Sequence, residues 1–243
     1  MNILSIDWDF FFPDVQQFDW QMNEDMFLYY ELIWPLRWGN SALFDQNTKA
    51  NEIMHPRSSH RTFWDSIQSK IKKRATLIIV DTHSEMYNVF NEYPGSLTIW
   101  NFDQHHDCGY GRSKELDCGN WAQLLYSNSK IQYHQVYPDW RKTIKEEPNP
   151  PGWAEIHHES DPLELPKFDF VFICRSSPWT PSWADRLWLR FIHWFKDNRE
   201  LCWKNKMSVP YPLKERTFNW KEAIHQNRAI AKLKEKSYAV LPD

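Results

Sequence analysis

Short apolar, β-branched runs alternate along the chain with stretches whose apolar residues recur every three or four positions. Ile3-Leu-Ser-Ile6, Leu77-Ile-Ile-Val80, the run ending at Phe102 and the segment Phe168 to Cys174 read as four strands. Phe63, Trp64, Ile67 and Ile71 mark a short amphipathic helix that ends in Lys72-Lys-Arg74, where cations suit a helix C-terminus. A further helix starts over Asn120 to Tyr126, and another runs from Trp183 to Asn198 with Leu187, Phe191, Trp194 and Phe195 on one face. A last one opens at the capping-box pattern Asn219-x-x-Glu222 and presents Trp220, Ile224 and Ile230. The aromatic stretch from Phe18 to Phe44 begins as a helix and breaks near Pro35. Ser41 to Arg61 and Tyr137 to Pro166 read as surface loops, and Lys232 to Lys236 as a solvated basic face. Strands alternating with helices predict an α/β fold, a three-layer α/β/α sandwich with a mainly parallel sheet, in a single domain over residues 1–243.

Polar residues cluster where three of these strands end. Asp7 and Asp9 follow the first, Asp81, His83 and Glu85 the second, and Asp103, His105 and Asp107 the third. In extended backbone every second side chain points the same way, so Asp103, His105 and Asp107 would share one side. Carboxylates and an imidazole converging at the end of a buried strand repel one another and lose hydration unless a cation sits among them. Parallel α/β sheets bind ligands outside the carboxyl ends of their strands, which would collect all three groups in one crevice. Carboxylates and imidazoles without thiolate suit Mn²⁺ better than a structural zinc, and Cys108 and Cys118 are too soft to fit beside them.

Composition removes several function classes. The 29 basic and 32 acidic residues give a net charge of −3 without a basic stripe, which argues against nucleic acid as a partner. The chain has no apolar stretch of membrane length and no secretory signal, and its four cysteines form no C-x-x-C pair. A cytoplasmic protein with reduced thiols, away from membranes, is expected. Only 6 glycines occur, and neither G-x-G-x-x-G nor G-x-x-x-x-G-K is among the sequence patterns, so nucleotide cofactors have no support. The 15 tryptophans either fill the core or line a groove for an extended substrate such as a peptide.

The ligand inventory resembles that of the ureohydrolases, including arginase and agmatinase, and of the related deacetylases. These carry an Asp-x-His-x-Asp segment, an upstream His and an Asp-x-Asp segment around two manganese ions; here Asp103-Gln-His105-His-Asp107, His83 and Asp7-Trp-Asp9 match. The sequence is more similar still to an arginase-like family that includes peptide arginases, which convert arginine to ornithine within ribosomally made peptides. That likeness rests on Val80-Asp-Thr-His83-Ser-Glu85, Phe102 to Asp107, Asn120-Trp121 and Ile6 to Phe11, about a fifth of the chain. In two respects the chain departs from the pattern: the Asp-x-Asp strand comes first instead of last, a circular permutation, and Phe12 stands where the ureohydrolases have a third Asp. Residues 10–76 are long enough to let the amino-terminal strand take the same slot in the sheet.

The resemblance implies an arginase-like fold with two Mn²⁺ ions bridged by Asp7 and Asp103, with His83 and Asp107 completing one ion and His105 and Asp9 the other. It also implies that Asp107 hydrogen-bonds the attacking hydroxide. Glu85 is then a candidate for guanidinium contact, and Ser177 and Asn120 for substrate contact; Asn120 equally fits a helix cap, and Ser177 a plain Ser-Ser-Pro turn. His106 is either a proton shuttle or, alternating away from His105, a core histidine, and His157-His158 lies in the predicted acidic loop facing solvent. Two rivals stand beside a hydrolase of an arginine-containing peptide. Asp7-x-Asp9 also resembles the nucleophile loop of haloacid-dehalogenase-type phosphatases, although Phe11 takes the usual Thr position and the Asp103 group is left unexplained. The other rival is a non-catalytic, metal-containing peptide-binding protein.

Overall fold

Four apolar runs, two half-polar strands and one short edge segment pair into a single parallel sheet, built in this computed structural model, which describes residues 1–13, 34, 54–110, 114–128, 131–144, 146, 148–198, 202–203, 215–216, 221 and 225. The strands are β1 (Asn2–Asp7), β2 (Ile71–Val80), β3 (Leu97–Phe102), β4 (Ile131–Tyr137), β5 (Ala154–His158), β6 (Phe168–Cys174) and β7 (Cys202–Trp203). Their order is β5-β4-β3-β1-β6-β2-β7, with every pair parallel. The helices are α1 (Ser59–Ile67), α2 (Glu85–Phe90), α3 (Trp121–Asn128) and α4 (Asp185–Asn198). The aromatic stretch 18–44, expected to begin as a helix and break near Pro35, lies outside the described residues except at Trp34, as do the segment 41–53, the final helix except at 221 and 225, the run 232–236 and the Phe195 side chain.

Strand alternation divides the core in two and sets the three layers. Leu4 and Ile6 of β1, Leu77 and Ile79 of β2, and Val171 and Ile173 of β6 face α1 and α4, where Phe63, Trp64, Trp188 and Phe191 pack. Ile3, Ile78, Val80, Ile99 and Phe172 face the other way, onto Met86 and Phe90 of α2 and Trp121 and Leu125 of α3. Phe12 is fully buried and edge-on to Trp8 at 5.8 Å, so the position where the ureohydrolases have an acid here belongs to the aromatic core.

Several predicted boundaries move. Lys72-Lys-Arg74 does not close a helix: the helix stops at Ile67, a 3-10 turn spans Gln68–Lys70, and the three cations are exposed residues early in β2. Ile71 is drawn into the sheet opposite Phe168, and Lys72 pairs with Asp169 at 2.5 Å across the same strands. The predicted loop over 137–166 contains β5, and β4 was not expected at all. Both strands are half-polar, with His134, Glu155 and His157 in positions that apolar patterning does not read as strand.

Position in the order explains where a site can form. The chain leaves β3 toward β4 on one side, and leaves β1 toward β2 on the other, so the direction of winding reverses between β1 and β3. At such a reversal the outgoing loops diverge and open a crevice at the carboxyl ends. The amino-terminal strand lies in the middle of the sheet, hydrogen-bonded to β3 on one flank and β6 on the other.

Candidate metal centre

Register brings the acids together. Ile6 is opposite Phe102, so the next pair is Asp7 and Asp103; on the other flank Asp7 is opposite Cys174, which is opposite Val80. Four strands therefore end at one level, and the loops carrying His83, Asp107 and Ser176 leave from it.

The convergence does not come from extended backbone, as the two-residue spacing suggested. β1 ends at Asp7 and turns directly into a 3-10 helix over Trp8–Phe11, and β3 ends at Phe102 before a series of bends. Both turns are built alike: Asp7 Oδ1 accepts the N–H of Asp9 at 3.0 Å, and Asp103 Oδ1 accepts the N–H of His105 at 2.8 Å. Each aspartate thus closes a turn on its own chain two residues on, a habit of this short side chain, and keeps Oδ2 for the crevice. Asp107 adopts a left-handed backbone with φ of 50°, a conformation that Asp tolerates better than most residues.

Around His83 the geometry is that of a ligand set. Its Nδ1 lies 3.2 Å from Asp7 Oδ2, 3.1 Å from Asp103 Oδ2 and 3.1 Å from Asp107 Oδ2. One ring nitrogen can carry one proton, so it cannot serve three carboxylates as a donor. On the ring's other side Nε2 is 2.8 Å from Ser5 Oγ, which fixes its orientation. A second group forms beside it: His105 Nδ1 is 3.2 Å from Asp9 Oδ2 and 3.7 Å from Asp103 Oδ1. Neither oxygen of the fully buried Asp9 has hydrogen-bond geometry to any described partner, despite the nearby imidazole.

Asp7, His83 and Asp103 could hold one ion, and Asp9, Asp103 and His105 another, with Asp103 common to both. All six residues expected as ligands from the sequence are gathered here, with Asp107 beside the first group. The donors are carboxylate and imidazole throughout, and the orphaned Asp9 oxygens and the overcommitted His83 nitrogen fit a cationic occupant.

Electrostatics give the same answer. Burial, then the charges of Asp9 and Asp103, pushes the Asp7 carboxyl up to about 7, and burial with Asp107 and Asp9 pushes Asp103 up to about 8. Burial raises Asp107 as well. Burial opposes charging of the two histidines, but the carboxylates win: Asp9 above all lifts His105 to about 10, and Asp103, Asp107 and Asp7 lift His83 well above its ordinary range. Burial also works against an ionised Asp9, yet its contact with His105 holds it below the ordinary carboxylate range. Without a metal, protons must supply the positive charge this cluster demands.

A surrounding layer of hydrogen bonds holds the ligands. Trp121 Nε1 donates to Asp107 Oδ2 at 2.6 Å, and the Ser176 hydroxyl donates to Asp7 Oδ2. Asn101 Nδ2 is 3.3 Å from Asp103 Oδ2 and also reaches Tyr133 and Gln135, while Gln135 Nε2 donates to the Asp103 carbonyl at 2.8 Å. Ser176 follows the fourth strand, where the sequence already suggested a loop reaching the crevice, whereas Ser5, Asn101 and Gln135 were not singled out. The available signal was a polar residue inside an otherwise apolar strand, at Ser5 and Asn101.

Other sequence candidates lie elsewhere. His106 is fully buried, with Nδ1 accepting the N–H of Cys108 at 2.9 Å, Nε2 2.9 Å from the Pro148 carbonyl, and the ring stacked on Tyr110. Both nitrogens serve the main chain, and burial holds the ring below its ordinary range, so the shuttle expectation gives way to the core-histidine reading. Asn120 ties its own loop, accepting from Asp117 N–H at 2.8 Å and donating to the Glu115 carbonyl at 2.6 Å. Buried Ser177 donates to Asp81 Oδ1 at 2.5 Å. Asp81 itself is no ligand: Arg175 grips both its oxygens at 2.8 and 3.1 Å. Glu85 opens α2, partly exposed, with no described side-chain hydrogen bond or ion pair.

Comparison of the chain with protein-family models, curated proteins and solved structures finds no match. Among the described residues no helix is long and apolar enough to cross a membrane.

Proposed function

We propose that the chain is a two-ion, manganese-dependent hydrolase of a guanidino C–N bond, an arginase-type enzyme that converts arginine within a peptide to ornithine and urea. The observation that carries the reading is the pair of three-residue ligand groups sharing Asp103. The choice of a guanidino substrate draws on the motif resemblance.

Asp7, Asp9, His83, Asp103, His105 and Asp107 would hold the ions. When bound, such ions supply Lewis acidity and lower the pKa of a bound water so that hydroxide is available at neutral pH. In the overall reaction water adds to the guanidino carbon, the bond from that carbon to the side-chain nitrogen breaks, and both water protons finish on the departing amine. By the motif resemblance Asp107, which accepts from Trp121 Nε1, is the carboxylate that would hydrogen-bond the attacking hydroxide and take the first of these protons. Among the six ligands His105 is the one that reaches solvent, its side chain 32% exposed, and the Trp179 ring lies 5.9 Å from it. We assign Trp179 the face on which a guanidinium stacks as it enters, a cation–π contact.

Preference for a peptide over the free amino acid draws on the motif resemblance; a cleft of about 640 Å³ lined by Phe63, Phe102 and Leu163 and by the acids Asp65, Glu159 and Asp161 lies beside α1, and none of its lining residues is among the six ligands. Its size suits an extended ligand, and its acids suit a cationic one.

The test is to load metal-free chain with Mn²⁺, supply free arginine and an arginine-containing peptide, and follow urea together with the mass change to ornithine. Urea from the peptide supports the proposal, and urea from free arginine alone defeats the peptide preference. Phosphate release from a phosphomonoester would favour the phosphatase rival, and bound metal without turnover the non-catalytic one.

A further inference from the structure

We propose that His134, Glu155 and His157 form a second metal site, for a borderline divalent cation such as Zn²⁺, that clips the edge strand β5 to β4. His134 Nδ1 is 3.3 Å from His157 Nε2 and 3.1 Å from Glu155 Oε2, and the last two atoms are 3.9 Å apart. Tetrahedral zinc with bonds of about 2.0–2.1 Å sets its ligands roughly 3.3–3.4 Å from one another, the spacing these three atoms already approach. Two imidazoles and one carboxylate form a borderline donor set, unlike the carboxylate-rich centre at the strand ends.

Strand geometry makes the cluster rigid and separate. His134 is opposite Glu155 across the β4–β5 ladder, and His157 is two residues further along β5, so all three project from one face. The neighbouring Gln135 projects from the other face, where it supports Asp103. Trp100, opposite His134 in β3, stacks on the His134 ring at 4.1 Å and 3° and on the His157 ring at 5.1 Å and 24°. The indole fixes both rings from the core side and leaves Glu155, 67% exposed, to close the site from solvent.

Protons serve this triad poorly. Whichever ring nitrogen carries the hydrogen of the His134–His157 contact, that hydrogen serves one acceptor well at a time, whereas a cation engages all three atoms at once. The consequence reaches the cleft, because the chain leaving β5 supplies Glu159, Asp161, Leu163 and Leu165 to its wall. A metal that pins β5 pins that wall.

The experiment is calorimetric titration of Zn²⁺ into the full chain already saturated with Mn²⁺, repeated with Glu155→Gln and His157→Ala, with Mn²⁺ content measured in each. The expected result is one zinc event in the unmodified chain, weakened at least about tenfold by Glu155→Gln and lost in His157→Ala, with Mn²⁺ content unchanged. Co²⁺ in place of Zn²⁺ should give a tetrahedral visible band that the same variants remove. A zinc isotherm and cobalt band indifferent to both substitutions, or no zinc event in the unmodified chain, would overturn the proposal. Should His157→Ala fail to fold, the solvent-facing Glu155→Gln decides alone.

Discussion

Asp103 is the residue on which the centre turns, because it belongs to both ligand groups and closes the turn that carries His105. Asp103→Ala should abolish metal uptake and turnover together, read as metal per chain by elemental analysis and as urea formed. Trp121 acts at one remove, through its 2.6 Å bond to Asp107. Trp121→Phe removes the N–H together with part of the buried indole, so metal affinity should fall about 10–100-fold, as measured by competition with a chelating dye, with retention of the fold checked by circular dichroism. Retained affinity in Trp121→Phe would show that Asp107 needs no orienting donor. Asp103, His105 and Asp107 were legible in the sequence as ligand types at suggestive spacing. Their convergence was legible for the wrong reason, since side-chain turns at Asp7 and Asp103 gather them where strand alternation was expected to. His106 was open to two readings because spacing tells which way a side chain points, not that Cys108 and Pro148 are waiting for its nitrogens.

Among the elements, the loop after β6 does most to fix the floor of the crevice. Arg175 holds Asp81 with two hydrogen bonds and reaches Asp185 at 3.4 Å; Arg216 grips the same Asp185 at 2.6 Å, and Ser177 caps Asp81. The network ties the end of β2 to the start of α4, and Ser176 within it reaches Asp7. Arg175→Ala leaves Asp81 buried without its cation and should cost about 3–5 kcal/mol in urea-induced unfolding. A loss below 1 kcal/mol, on the order of a surface pair, would show that water or Arg216 takes over. Nothing in the sequence joined Arg175 to Asp81, because the pairing spans two strands that are neighbours only in the folded sheet. The apolar strands β1, β2, β3 and β6 were legible because their carboxyl-terminal portions are buried on both faces and read as short apolar runs. β4 and β5 were not, since they lie at or beside the sheet's edge and carry polar residues on both faces.

At the scale of the whole molecule, the proposed centre would couple metal, protons and stability, because its candidate ligands come from the end of β1 and from the segments that follow β1, β2 and β3, and meet only in the folded state. In metal-free chain the folded state holds Asp7 and Asp103 at about 7 and 8 against an ordinary 3.8, and His105 at about 10 against 6.5. All three shifts are upward, so the folded form binds more protons than the unfolded one and stability declines as pH rises. The aspartates lose their contribution between about pH 4 and 8, and His105 between about 6.5 and 10. Ions reverse the slope, since they need these groups deprotonated and bind more tightly as pH climbs. At 100 times its dissociation constant one ion adds about 2.7 kcal/mol, a rise in thermal midpoint of roughly 5–10 °C for a chain of this size. Scanning calorimetry from pH 5 to 8 should therefore give midpoints that fall with pH in chelator and a Mn²⁺-induced increment that grows with pH. In Asp103→Ala the increment should vanish, and the decline in chelator should flatten because the carboxyl with the higher of the two aspartate values is gone. Parallel curves with and without Mn²⁺ would mean that the acids at the strand ends are neutralised by protons alone.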